Sequence, residues 1–150
     1  MNSKRRVSVQ WMGGYRTQIN VRDVHLMRGD ETPEYGGEDT GPMPTELLLA
    51  ALGTCMCLAV AHVARKRRIE ITQLSLDIGA EKDMQAFRFR EISLTVRADL
   101  PQDKLDPLIE QARHYCFVSN TLIAGCAIHY TAESITAQEE RRTKNKEQME

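Results

Sequence analysis

The sequence predicts an α+β domain built around one central helix. Two observations carry that expectation. Strand-like and helix-like segments are grouped (strands, long helix, strands, helix, strand) rather than regularly alternating. And one stretch, Leu47 to Ala64, is apolar almost without interruption, broken only by Gly53, Thr54 and His62. A helix that is apolar all round is buried on every side.

The elements follow in order. Val7, Val9 and Trp11 alternate with polar neighbours, Gly13-Gly14 marks a turn, and Tyr15, Thr17, Ile19 and Val21 continue the period of two. Arg16, Gln18, Asn20 and Arg22 fall on the opposite, polar face. Residues 29–44 hold three prolines and several glycines and read as loop. Residues 45–67 read as one helix, with Pro44 or Thr45 at its start and a basic end that suits the C-terminal dipole. Strands are expected at 69–81 and 86–98 with a turn at Glu81–Asp83. The apolar phase switches within each, which predicts a bulge in both. Leu105, Leu108, Ile109, Ala112 and Cys116 follow helical spacing, with Asp103 or Asp106 available as a cap. A break at 117–119, a helical turn at 120–124 and a last strand at 127–135 complete a single domain of residues 1–135. Residues 136–150 are nearly all charged or polar and read as a flexible, solvated tail.

Composition excludes several classes. A chain of 150 residues can bury roughly two-thirds of its unfolded surface without staples. The net charge of -1 and 5% aromatic content argue against nucleic acid or an anionic membrane as partner. The 47–64 run is long enough to be considered as a membrane span. It is rich in Ala, however, holds Gly, Thr and His, and is the only such run. A core helix is the favoured reading, and no membrane is expected. So few other elements can cover this helix that burial at a subunit interface, hence a dimer, is expected. The polar, basic residues 1–6 are not followed by an apolar stretch, so a cytoplasmic location with reduced thiols is expected.

Each of the cysteines at 55, 57, 116 and 126 is then a packed thiol or a reactive site. Cys55 lies mid-helix on the face of Leu48, Ala51, Leu52, Leu58, Ala59 and His62, where a core thiol is the simpler reading. His62 is seven residues on, about 10 Å along the axis, too far to activate it. Cys57 belongs to a stripe of small residues (Ala50, Gly53, Thr54, Ala61, Ala64) that would let another helix approach. Cys116 ends an amphipathic helix just before a new helical turn, whose free N–H groups favour a thiolate. Cys126, after Gly125, reads as filler. The histidines at 25, 62, 114 and 129 form no zinc-type spacing with these cysteines, and no metal or cofactor is expected.

The stretch Pro44-Thr45-Glu46-Leu47-Leu48-Leu49-Ala50-Ala51-Leu52-Gly53-Thr54-Cys55 resembles the first cysteine motif of the OsmC/Ohr family, the osmotically inducible and organic hydroperoxide resistance proteins. Cys116-Phe117-Val118-Ser119-Asn120-Thr121-Leu122 is similar to the second, and Gly13-Gly14-Tyr15-Arg16 to the family's opening. The resemblance covers residues 7–134. It implies an intertwined homodimer with the long helices central and the active sites at the interface. It also implies a thiol-dependent peroxidase in which Cys55 attacks an organic hydroperoxide, Cys116 resolves the sulfenic acid as a disulfide, and an external dithiol reduces it. A cation beside the thiolate is required in an apolar site. Arg16 is the candidate and Arg22 the second. The sequence departs from the family at Thr45, which stands where well-understood members carry the Glu that pairs with this Arg. The nearest acid is Glu46, one helical step away. Phe117 stands where Pro is common. These departures resemble a less-characterised branch. They leave open a second reading, a non-catalytic dimer that binds a small apolar or thiol ligand.

Overall fold

The computed structural model describes residues 4–147, side chains at 137–140 excepted. Strands β1 (Ser8–Trp11), β2 (Thr17–Val21) and β3 (His25–Gly29) form an antiparallel sheet in that order. Helix α1 (Pro44–Lys66) follows, then the hairpin β4 (Leu74–Asp83) and β5 (Arg88–Ala98). Three helices complete the chain: α2 (Gln102–Ala112), α3 (Phe117–Ala124) and α4 (Ile135–Glu147). The class is α+β with antiparallel sheets, as the grouping of elements predicts.

The core forms where α1 crosses the hairpin and α2. Leu52, Met56, Ala59, Val60, Val63 and Ala64 of α1 are buried with Leu108, Ala112 and Cys116. Alternate hairpin residues turn inward onto them: Leu74, Leu76 and Ile78 from β4, and Ile92 and Leu94 from β5. Their neighbours Asp77 and Arg97 pair on the outer face. This is the period-two pattern of a sheet with one wet side. Asp99 ties the linker before β4 to the end of β5. Its carboxylate accepts from Thr72 Oγ1 and from the backbone N–H groups of Gln73 and Thr72. The Thr72 hydroxyl bond is the main cause that holds it below the ordinary carboxylate range.

Several expectations are corrected. Among the described residues the hairpin has one bulge, where the register slips between Glu81 and Lys82 and leaves Arg90 of β5 without an opposite number. It accounts for the switch from Phe89 to Ile92. Ile69 and Ile71 precede β4 altogether and pack on the core from a linker. The hairpin turns at residues 84–87 rather than at Glu81–Asp83. Asp83 Oδ1 instead accepts the turn's Gln85 and Ala86 N–H groups. Neither Asp103 nor Asp106 caps α2, whose N-cap position is Pro101. The break lies before Cys116, as a 3-10 turn at Arg113–Tyr115, and α3 starts directly at Phe117. Residues 127–134 form no strand and pair with neither sheet. The sequence reading also missed β3. Its connection from β2 is a tight turn with Arg22 and Asp23 at φ 58° and 56°, closed by Asn20 against Asp23.

Outside this core the chain is open. The ladder places Val9, Ile19 and Met27 on one face of the first sheet, and Trp11 follows Val9 on it. Val9 is 60% exposed and Trp11 72%. The accessible surface is 12706 Å². A compact monomer of this mass exposes about 7,800 Å². α1 is long and apolar enough to cross a membrane by length and composition, yet only 39% of its most apolar window is covered.

Candidate functional site

Cys55 and Cys116 reach the same part of the molecule from different elements. Cys55 sits midway along α1, half-buried, and packs against the core cluster that contains Cys116. Cys116 is wholly buried and is the N-cap residue of α3, with an extended backbone (φ -80°, ψ 97°). The Asn120 N–H donates to its carbonyl, as does the Ser119 hydroxyl. The sequence reading placed Cys116 at a helix end near a new helical start. The structure puts it at the junction itself, where free N–H groups of the first turn point back.

The junction is pinned to α1. Tyr115 stacks at a tilt on His62, ring centroids 5.3 Å apart, and Lys66 lies over the same ring. From there α3 runs back along α1 until Leu122 meets Thr45 and Leu48 in a shared cavity. Thr45, Leu48, Leu52, Cys55, Ala59 and His62 follow one another at steps of three or four, so they form one stripe of α1. Cys55 therefore lies on the span between the two places where segment 115–122 is anchored.

Arg16 and Glu46 are not brought to this span. Glu46 is the third residue of α1, and its Oε2 accepts the Met43 N–H as half of a capping box. Arg16 immediately precedes β2 and pairs with Glu38 at 3.7 Å. Glu38 is held by the loop around Asp30. That carboxylate is buried and accepts from Thr40 Oγ1 and from the N–H groups of Thr40, Glu31 and Glu38. These bonds, the Thr40 hydroxyl first, outweigh burial and hold Asp30 down to about 2. Sequence reasoning missed Asp30, although an acid opening a Gly- and Thr-rich loop is a recurrent anchor for turn N–H groups. Arg22 is exposed in the β2–β3 turn.

The other cysteines are placed differently from each other. Cys57 lines a groove between α1 and β4. What the small stripe admits is a strand, not a helix: Ile78 Cδ1 comes within 2.5 Å of where a Gly53 Cβ would stand. Cys126 is exposed. Among the described residues, no group of three or more His, Cys, Asp or Glu is arranged to hold a metal.

A cavity of about 560 Å³ opens where the N-terminal end of α1 meets the hairpin tip. Leu48, Phe89, Ile92 and Leu122 form its apolar lining, and Lys82, Asp83 and Arg88 bring charge. Thr45, the position that departs from the resemblance, is on its wall. Lys82 and Arg88 did not stand out in the sequence, because a charged residue in an alternating strand reads as its wet face.

Residues 36–131 match the family described as OsmC-like protein. An uncharacterized protein of Methanocaldococcus jannaschii is 22% identical over 126 residues, which are 81% of this chain and 64% of that relative's length. The fold superposes on an OsmC-like protein from Mycoplasma pneumoniae with a TM-score of 0.71 at 19% identity, covering 83% of this chain and 91% of the other. An organic hydroperoxide resistance protein from Legionella pneumophila gives 0.67 at 21%, covering 79% and 88%. The corresponding protein of Bacillus subtilis gives 0.59 at 26%, covering 79% and 90%.

Proposed function

The chain belongs to the OsmC-like protein family, and on that footing we propose that it is a thiol-dependent peroxidase for organic hydroperoxides with Cys55 as the attacking thiol and Cys116 as the resolving one. The observation that carries the reading is the placement of Cys116: a buried thiol at a helix start, in the cluster against which Cys55 packs. In the first step the Cys55 thiolate attacks the distal peroxide oxygen. The O–O bond breaks, the alkoxide takes a proton and leaves as alcohol, and Cys55 becomes a sulfenic acid. Cys116 thiolate then attacks that sulfur, water leaves, and a Cys55–Cys116 disulfide forms. An external dithiol returns both to thiols by exchange, and the cell gains defence against peroxide stress. A reducing compartment, the cytoplasm, suits this cycle.

The working form is a homodimer. The surface in excess of a compact monomer is roughly 5,000 Å², part of it on the exposed helix α4. That is enough for an extensive obligate interface. The apolar face of β1–β3, the uncovered flank of α1 and the unpaired segment 127–134 are the surfaces that a partner would cover.

The second reading, a non-catalytic dimer binding a small apolar or thiol ligand, draws on one observation. Arg16 is held by Glu38 and Glu46 by Met43, so the Arg–Glu pair that the resemblance implies is not formed between them. Turnover of cumene hydroperoxide with dithiothreitol as reductant separates the two. The peroxidase reading expects Cys55→Ser to abolish turnover. Cys116→Ser should allow one turnover and leave a sulfenic acid that dimedone traps at Cys55. No peroxide consumption by the unaltered chain would leave the ligand-binding reading.

A further inference from the structure

The two thiols are held by very different stretches of backbone. Cys55 sits inside the 23-residue helix α1, whose hydrogen bonds fix it from both sides. Cys116 hangs on the short connection between α2 and α3, just after the 3-10 turn at Arg113–Tyr115. The bond that closes this turn, from the Cys116 N–H to the Arg113 carbonyl, is long at 3.3 Å. The Asn120 side chain donates to the His114 carbonyl, so the turn and the start of α3 are tied together. A disulfide accepts only a narrow range, about 4.4–6.8 Å between Cα atoms. The connection, more than the helix, therefore governs how well the pair can close. One side chain beside Cys116 fixes that connection to α1. The Tyr115 ring lies 5.3 Å from the His62 ring at a tilt of 59°, and Lys66 Nζ lies 5.5 Å from the same ring centre. The Lys66 ammonium also donates to the Tyr115 hydroxyl, but at 3.5 Å, the weak limit of a hydrogen bond, so the ring carries most of the contact. His62 belongs to the Cys55 stripe of α1, about two turns further on. Tyr115 is 47% exposed and His62 is exposed as well, so the contact adds little to the core.

We propose that Tyr115 is a positioning residue for disulfide formation: its ring, seated on His62 and covered by Lys66, sets where Cys116 stands along the Cys55 stripe of α1. In the catalytic cycle this role rests on the peroxidase reading above. There the Cys116 thiolate attacks the sulfur of the Cys55 sulfenic acid. An S–S bond forms, the S–O bond breaks, and the oxygen leaves as water after taking up the proton that the Cys116 thiol gave up. The incoming sulfur must line up with the breaking S–O bond, and a misplacement of about 1 Å can cost such a step on the order of a hundredfold. The first step makes no such demand on Tyr115, because the peroxide reaches Cys55 without Cys116. The contact therefore acts on one step and not on the other. Because it lies at the surface, the ring can be removed without opening the core formed by Leu108, Val60 and Val63.

The test follows the two steps separately. Reduced full-length protein is mixed with one equivalent of cumene hydroperoxide and quenched in acid at set times. Peroxide loss is measured, and the intact mass reports sulfenic acid and disulfide. Tyr115→Ala should consume peroxide at the native rate, while the disulfide forms at least about tenfold more slowly and the Cys55 sulfenic acid builds up. Tyr115→Phe keeps the ring and should restore the native rate. His62→Ala should match Tyr115→Ala, and the double variant should be no slower than either, since both remove one contact. Arg113→Ala, in the same turn but paired with Glu110 at the surface, should change nothing. A native disulfide rate in Tyr115→Ala, equal slowing of both steps, or no rescue by Tyr115→Phe would overturn the proposal. A second measurement needs no peroxide. In a glutathione redox buffer the Cys55–Cys116 bond forms by exchange, and Tyr115→Ala should weaken it about tenfold, or 30 mV. If the unaltered chain forms this bond but consumes no peroxide, the peroxidase reading fails and the glutathione comparison alone decides: a tenfold weakening upholds the role of Tyr115, and an unchanged equilibrium refutes it. If the unaltered chain forms no such bond under either condition, the proposal is refuted outright.

Discussion

The layer made by α1, α2, α3 and the β4–β5 hairpin closes on itself, whereas the β1–β3 sheet and the stretch beyond Ala124 do not. All but one of the side chains that are both large and fully buried belong to the first region: Leu108, Val60, Val63 and Cys116. In the second region Val9, Trp11, Leu26, Ile128 and Tyr130 stand in water, although the sheet has a well-formed ladder and a consistent apolar face. A three-stranded sheet needs a covered apolar face to be stable on its own. The contrast teaches that one copy of this sequence specifies a complete core for one region and only a binding face for the other. The exception is Asp30, buried in the second region by hydrogen bonds instead of by packing.

Loss of packing inside the closed region should cost the most. Leu108→Ala should cost about 2–5 kcal/mol, the usual loss for a fully buried leucine. Denaturant unfolding should show it at every protein concentration. In the open region Val9→Asp should act through association. The dimer dissociation constant measured by sedimentation should rise at least about tenfold, or about 1.4 kcal/mol, while secondary structure is retained. If Val9→Asp unfolds the chain at all concentrations, the sheet is held from within and the comparison fails. Gly37→Ala sharpens the loop's share. An added Cβ would collide with the Glu31 carbonyl, backbone that cannot give, and would crowd the Asp30 carboxylate. The cost should be on the order of 1–3 kcal/mol. Amide exchange should rise at residues 30–40 and stay unchanged in α1.

The titration of Asp30 reads the same loop through its charge. Its folded value, about 2, lies below the ordinary 3.8. Its contribution to stability is therefore present above about pH 4 and is lost as pH falls toward 2. The Thr40 amide shift followed by NMR should titrate with a midpoint near 2. A midpoint near 3.8 would mean that the carboxylate does not hold the loop.

Much of this architecture was legible in the residues. α1 was readable to within a residue because its apolar run is bounded by Pro44 and a basic end. The inward positions of β4 and β5 followed from alternation. What was not legible depends on distant partners or on backbone geometry. Strand β3 hid because its turn uses Arg22 and Asp23 at positive φ, without the glycine that would announce it. The expected strand at 127–135 has apolar content yet pairs with neither sheet, which alternation alone does not reveal. Cys55 and Cys116 were named as a candidate reacting pair from a resemblance. Spacing alone left each of them readable as a core thiol, since periodicity reports burial and not reactivity. Arg16 was chosen as a cation on the polar face of the second strand; it stands just before β2 and pairs with Glu38 of the loop ordered by Asp30. Lys82 and Arg88 became visible only when the bulged hairpin tip was placed over the start of α1.

The proposed function stands or falls with Cys55 and Cys116 as a reacting pair. The direct measurement is to treat fully reduced protein with one equivalent of an organic hydroperoxide, quench with a thiol-blocking reagent, and map disulfides by peptide mass without reductant. A single Cys55–Cys116 bond formed within seconds, with Cys57 and Cys126 still blocked as free thiols, is the predicted result. Unreacted thiols at all four positions, or a bond that excludes either Cys55 or Cys116, would contradict it.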